Sequence, residues 1–147
     1  MSSLDPINWE KRRASIDADS TLEKGSTYLS VYSEIYSLTE HRTHNLTATV
    51  SLRNVNVGDT IFIESAEYFN THGESIRNYI QNSIFIAPLE TVEIVIDEQD
   101  KTGGTGANFI FNWAIQPGSN PPLFEGVMIS TSGQQGLSFT TQGHILK

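Results

Sequence analysis

The chain has 147 residues, 37% of them apolar, no cysteine and a formal charge of −8. Without cysteine there are no disulfides, no thiol catalysis and no thiolate metal sites. Residues 25–147 hold 12 acidic and five basic groups, a charge of −7, with Arg42, Arg53, Arg77, Lys101 and Lys147 widely scattered, which argues against the basic stripe that a nucleic-acid binder needs.

The length fits one domain with a real core. No apolar run approaches the roughly 18 residues that cross a bilayer, so no transmembrane segment is expected. Met1-Ser2-Ser3 has neither the basic start nor the apolar stretch of a signal peptide.

Residues 1–24 read as a polar N-terminal arm or tether, packed by Trp9, with a short helix around Trp9–Ala18 as an option. The domain proper is expected over 25–147. Tyr28–Tyr36 reads as a strand, with Leu29, Val31, Ser33 and Ile35 on one face and the tyrosines on the other. In Leu46–Asn54, Leu46, Ala48, Val50 and Leu52 alternate with Thr47, Thr49, Ser51 and Arg53. That period of two predicts a strand with one buried face. Asn54–Asp59 is turn-rich. Thr60–Asn70 is a strand with imperfect alternation at Ile61-Phe62-Ile63, which a bulge or an edge crossing would explain.

Thr71-His72-Gly73-Glu74 reads as a hairpin turn before Ser75–Ile80. Ile84-Phe85-Ile86 leads to Ala87-Pro88-Leu89-Glu90, where proline marks a turn or strand start. Val92, Ile94 and Ile96 belong to a further strand. The loop Asp100–Gly106 follows. Asn108–Ile115 puts Phe109, Phe111, Trp113 and Ile115 on one face. After the loop Gln116–Pro122, strands at Val127–Thr131 and Leu137–Thr141 close the chain.

About eight strands at hairpin spacing predict an all-β fold, an antiparallel β-sandwich of immunoglobulin/fibronectin-like type. A closed β-barrel is the alternative.

Four segments occur in order: Ser33–Tyr36, Asn45–Asn54, Gly103–Phe109 and Gln134–Thr140. As a set they resemble an uncharacterised bacterial family, domain of unknown function three-one-two-four, over roughly residues 25–143. The resemblance implies a secreted, periplasmic or lipoprotein-type bacterial protein without an assigned activity. It implies that Asn108, Gln134 and Gln135 belong to family motifs, and it offers no catalytic residues.

Several residue groups are candidates for chemistry. Gly103-Gly104-Thr105-Gly106 could cradle an anion, but a strand follows instead of a helix, which favours a tight turn. Asp97 and Asp100 precede that loop and form a candidate Ca²⁺ site, with Glu98 beside them and Asn108 as a further ligand. The spacing does not match an EF-hand, and a solvated acidic turn is the plainer reading. His41 and His44 beside Glu40 could bind zinc, yet their spacing suits a helix better than the loop expected there. No Gly-x-Ser-x-Gly elbow occurs.

Tyr28, Tyr32 and Tyr36, if solvent-facing, would make a ledge for a sugar ring or a protein partner. Otherwise they cover the second side of the sheet or lie under the arm that carries Trp9. Gln134 and Gln135 could recognise a polar ligand from a hairpin tip. The expected function is therefore a non-enzymatic, extracytoplasmic binding or interaction module for a protein or small polar ligand. The alternatives are a small metal-dependent or hydrolytic enzyme using the Asp97–Asn108 region and a structural subunit of an envelope assembly. No cofactor is expected apart from the Ca²⁺ option.

Overall fold

Alternation of core-facing and outward residues recurs along twelve strands of the computed structural model, which describes residues 9–16, 21–37, 39–130 and 136–146, without the side chains of 39 and 40. The strands are β1 (Glu23–Val31), β2 (Glu34–Ser37), β3 (Thr39–Asn45), β4 (Thr47–Arg53), β5 (Ile61–Phe69) and β6 (Ser75–Asn78). They continue as β7 (Ile84–Ile86), β8 (Thr91–Ile96), β9 (Ala107–Ile115), β10 (Leu123–Ser130), β11 (Leu137–Gln142) and β12 (His144–Leu146).

They build two principal antiparallel sheets. One has six strands in the order β12-β1-β9-β5-β6, with β7 also beside β5. β6 pairs with Glu67–Phe69 and β7 with Ile61–Ile63, so the two follow each other along one edge of β5. The other sheet has four strands, β11-β10-β4-β8. β2 and β3 form a separate hairpin. Neither sheet closes on itself, so the barrel alternative falls and the sandwich stands.

The core lies between the sheets. β4 supplies Ala48, Val50 and Leu52, β8 supplies Val92, Ile94 and Ile96, and β9 supplies Phe109, Phe111 and Trp113. Rings stack from one sheet to the other: Tyr68 on Phe109 (4.8 Å), Phe109 on Phe111 (5.1 Å), Phe111 on Phe124 (4.1 Å). Each buried ring contributes roughly 1.5–3 kcal/mol through removal from water. Trp113 donates its indole N–H to Thr27 Oγ1 at 2.9 Å. Its ring lies directly over Gly25, where any Cβ would collide with it.

One end of the sandwich is tied by two buried asparagines. The Asn54 amide donates to the carbonyls of Asp59 (2.7 Å) and Ile86 (2.9 Å), and Asn54 Oδ1 accepts from the Asn56 N–H (2.8 Å). Asn56 donates to the Asn120 carbonyl (3.0 Å) and accepts from the Asn120 N–H (2.8 Å). These bonds replace water for groups that would otherwise be buried unpaired.

Several sequence expectations need correction. There are twelve strand segments among the described residues, not about eight. Residues 28–36 are not one strand: β1 ends at Val31 and β2 starts at Glu34, with a bend at Ser33. The buried Ser33 is held there by its hydrogen bond to the Tyr68 hydroxyl (2.9 Å), and its N–H donates to the Gly104 carbonyl (3.0 Å). The expected helix near Trp9 is a single 3-10 turn, Trp9–Arg12. β10 begins at Leu123, four residues earlier than expected. Ile61, Phe62 and Ile63 pair regularly with β7 and alternate buried, half-buried and buried, and the register shift of β5 against β9 falls just after them, between Ile63 and Ser65.

Candidate functional site

The glycine loop works as scaffold. The Gly104 N–H donates to the Lys101 carbonyl (3.1 Å) and the Gly106 N–H to Thr71 Oγ1 (2.9 Å), so neither points at an anion. Gly104 has φ +78°, and a Cβ on Gly103 would run into the Tyr68 hydroxyl. The loop is a tight turn that needs glycine for space at Gly103 and for backbone freedom at Gly104.

Asp97 and Asp100 sit just before it. Asp100 Oδ2 accepts from Arg77 Nη1 at 2.8 Å, and Oδ1 accepts from Thr102 N–H (3.3 Å) and Oγ1 (2.6 Å). Burial pushes the Asp100 carboxyl upward, but the bonds from Thr102 and Arg77 outweigh it and leave it below the usual value. Asp97 Oδ1 accepts from the Gln99 N–H. Asp100 is thus already served by a guanidinium, and among the described residues no three acidic or histidine side chains converge as a metal site. Nearby, Tyr68 is pushed up to about 12, chiefly by burial, against the Ser33 hydrogen bond.

The end of the hairpin and this loop border a cleft of about 530 Å³ lined by Thr43, His44, Asn45, Glu98, Gln99 and Lys101. His41 and His44 lie on β3, not in a loop. The strand is irregular there, with Tyr36 opposite Thr43 and Ser37 opposite Thr39, and among the described residues the two histidines belong to no group of three metal-ligating side chains.

The tyrosines separate. Tyr36 is 59% exposed on β2, and Tyr32 packs edge-to-face on Phe139 at 5.5 Å. Tyr28 alone stays on the outer face of the six-stranded sheet. Gln134 and Gln135 lie outside the described residues.

Tyr28 and Asn108 do come together. β1 pairs with β9 so that Ser30 is opposite Asn108, Tyr28 opposite Ile110 and Ser26 opposite Asn112. β9 pairs with β5 so that Asn108 is opposite Phe69, Ile110 opposite Glu67 and Asn112 opposite Ser65. Directly opposed residues share a face. Three rows therefore cross the outer face: Ser30–Asn108–Phe69, Tyr28–Ile110–Glu67 and Ser26–Asn112–Ser65.

The third row is locked by hydrogen bonds. Ser26 Oγ donates to Asn112 Oδ1 (2.6 Å), and Asn112 Nδ2 donates to Ser65 Oγ (2.8 Å). Beside it, Lys24, Gly25, Ser26, Glu64 and Asn112 line a depression of about 400 Å³. Lys24 pairs with Glu64 at 3.3 Å, and Glu67 accepts from Ser75 Oγ at 2.6 Å. The Tyr28 hydroxyl and the Asn108 amide have no hydrogen-bond partner among the described residues.

Ser26, Ser65, Phe69 and Asn112 were not singled out from sequence. One signal was available. Asparagine is depleted in strands, yet β9, an inner strand of its sheet, carries two on its outward face.

Fold and face together define a two-sheet β-sandwich that presents a mixed aromatic and amide surface. The chain belongs to the family described as protein of unknown function (DUF3124), whose model matches residues 24–146, so the expectation of an uncharacterised family holds. No curated protein is detectably similar in sequence. The crystal structure of Thermotoga maritima 1070 is similar in fold, with a TM-score of 0.51 and 7% identity over 82% of this chain and 92% of that one. At that identity the likeness shows the fold alone. Among the described residues no helix is long and apolar enough to cross a membrane.

Proposed function

We propose that this domain is a non-enzymatic binding module that works outside the cytoplasm and binds through the outer face of its six-stranded sheet. One observation carries the reading: Tyr28, Phe69 and Asn108, from three adjacent strands, meet on a single outward surface. An aromatic plate beside an uncommitted amide offers both apolar contact and directional hydrogen bonds. The extracytoplasmic setting rests on the family resemblance. A metal-dependent enzyme built on Asp97 and Asp100 is the weaker reading, because the Asp100 oxygens already serve Arg77 and Thr102.

Retention on immobilised bacterial envelope material tests this reading. The Tyr28→Ala and Asn108→Ala proteins are expected to fold and to lose retention, while Val127→Ala, on the other sheet, keeps it. Equal retention of all three would overturn the proposed surface.

A further inference from the structure

The chemistry of this face narrows its ligand, on the reading that the face is the binding surface. We infer that it takes a neutral oligosaccharide chain of two or more rings, lying across β1, β9 and β5.

Charge supports a neutral ligand. Lys24, beside the face, is paired with Glu64, Glu67 is engaged by Ser75, and His144, exposed on β12 opposite Tyr28, is the further titratable group next to the ring. The protein's charge of −8 opposes anionic polymers.

Shape argues against a peptide strand. Extended peptides add to a sheet edge, where backbone groups are free. The Tyr28 surface lies on the face of inner strands, whose backbone groups are already paired on both sides. What the face offers is side chains: two rings and an amide.

Spacing supports a chain longer than one sugar. Tyr28 and Phe69 are two strands and one row apart, about 12 Å from strand and residue spacings. Asn108 lies between them, and Ser30 is beside it. The apolar face of a sugar ring would rest on Tyr28, with a second ring towards Phe69. The Asn108 amide would both donate to and accept from hydroxyls between them. The Ser26–Asn112–Ser65 ladder holds the neighbouring row rigid, so little order is lost on binding.

The test is native affinity electrophoresis of the full chain in gels containing a broad set of soluble neutral glycans, with acidic alginate and polyglutamate gels beside them. Retardation is expected in at least one neutral gel. Tyr28→Ala and Phe69→Ala should each weaken it roughly five- to tenfold. Retardation in no neutral gel would overturn the ligand class, as would stronger retardation in alginate. If retention on envelope material still depends on Tyr28 in that case, the surface reading survives and only the ligand class fails. Retardation by neutral glycans that ignores both Tyr28 and Phe69 would overturn the surface as well.

Discussion

Across the outer face of the four-stranded sheet, Thr47, Thr49, Val95, Val127 and Ile129 present methyl groups and hydroxyls. Across the outer face of the six-stranded sheet, Tyr28, Phe69, Asn108 and Asn112 present rings and amides. Both faces arise from the same alternation, and both sit on the same core. On the first, Val127 is 38% and Ile129 42% exposed, and the charged contact is the Arg53–Glu125 pair at 2.9 Å. The second sets the Asn108 amide, without a hydrogen-bond partner among the described residues, between aromatic side chains, while Asn112 is held by Ser26 and Ser65. The difference shows that register assembles the mixed face: no single strand carries it, and three strands side by side do.

Substitutions on the hidden side of the six-stranded sheet should have the largest effects. Phe109→Ala removes a ring stacked between Tyr68 and Phe111. A loss of about 3–5 kcal/mol is expected, measurable by urea unfolding. The asparagine tie comes next. Asn54→Ala strands the carbonyls of Asp59 and Ile86 and the N–H of Asn56, at a cost of about 2–4 kcal/mol. A midpoint shift below that of a surface variant would contradict the role given to the tie.

The two outer faces should then part company in binding while staying close in stability. Tyr28→Ala should change unfolding free energy by less than about 1 kcal/mol and reduce ligand affinity roughly five- to tenfold. Thr49→Ala and Val127→Ala should leave affinity unchanged. A drop in affinity for Val127→Ala equal to that for Tyr28→Ala would erase the distinction between the faces.

The smallest effect concerns the N-terminal arm. Arg13 bridges to Ile84, and the Ala14 N–H donates to the Ser83 carbonyl at 2.7 Å. Arg12 grips both oxygens of Glu90, at 2.9 and 2.6 Å. The Arg12 hydrogen bonds, followed by the Ala87 N–H, hold the Glu90 carboxyl at about 2, below its ordinary 4.5. A depressed folded pKa stabilises above the unfolded value, and the gain is lost as pH falls towards the folded one. The arm's contribution is thus expected in full above pH 4.5 and to disappear by about pH 2. The pair is partly exposed, so about 1 kcal/mol or less is at stake. Arg12→Ala should flatten that stretch of the stability profile; an unchanged profile would show that the pair contributes nothing.

Much of the fold was legible because burial imposes a period of two. Ala48, Val50 and Leu52 of β4, and Phe109, Phe111 and Trp113 of β9, declare their buried face in the chain itself. The break at Ser33 was not legible, because it depends on Tyr68, 35 residues away in sequence. Asn54 and Asn56 read as turn residues, and their partners at Ile86 and Asn120 are set by tertiary structure. The site was half legible for the same reason. Tyr28 and Asn108 were visible one at a time, while Phe69 and Asn112 joined them only once β1, β9 and β5 were in register. The tyrosine ledge failed because it assumed a continuous strand where the chain bends.

The most direct test of the proposed binding face is amide chemical-shift mapping of the ¹⁵N-labelled chain during titration with a soluble neutral glycan that retards it in gels. The predicted result is a set of shifts centred on residues 26–30, 65–69 and 108–112. Shifts confined to 47–53 and 123–130, or to the loop at 97–106, would contradict the account.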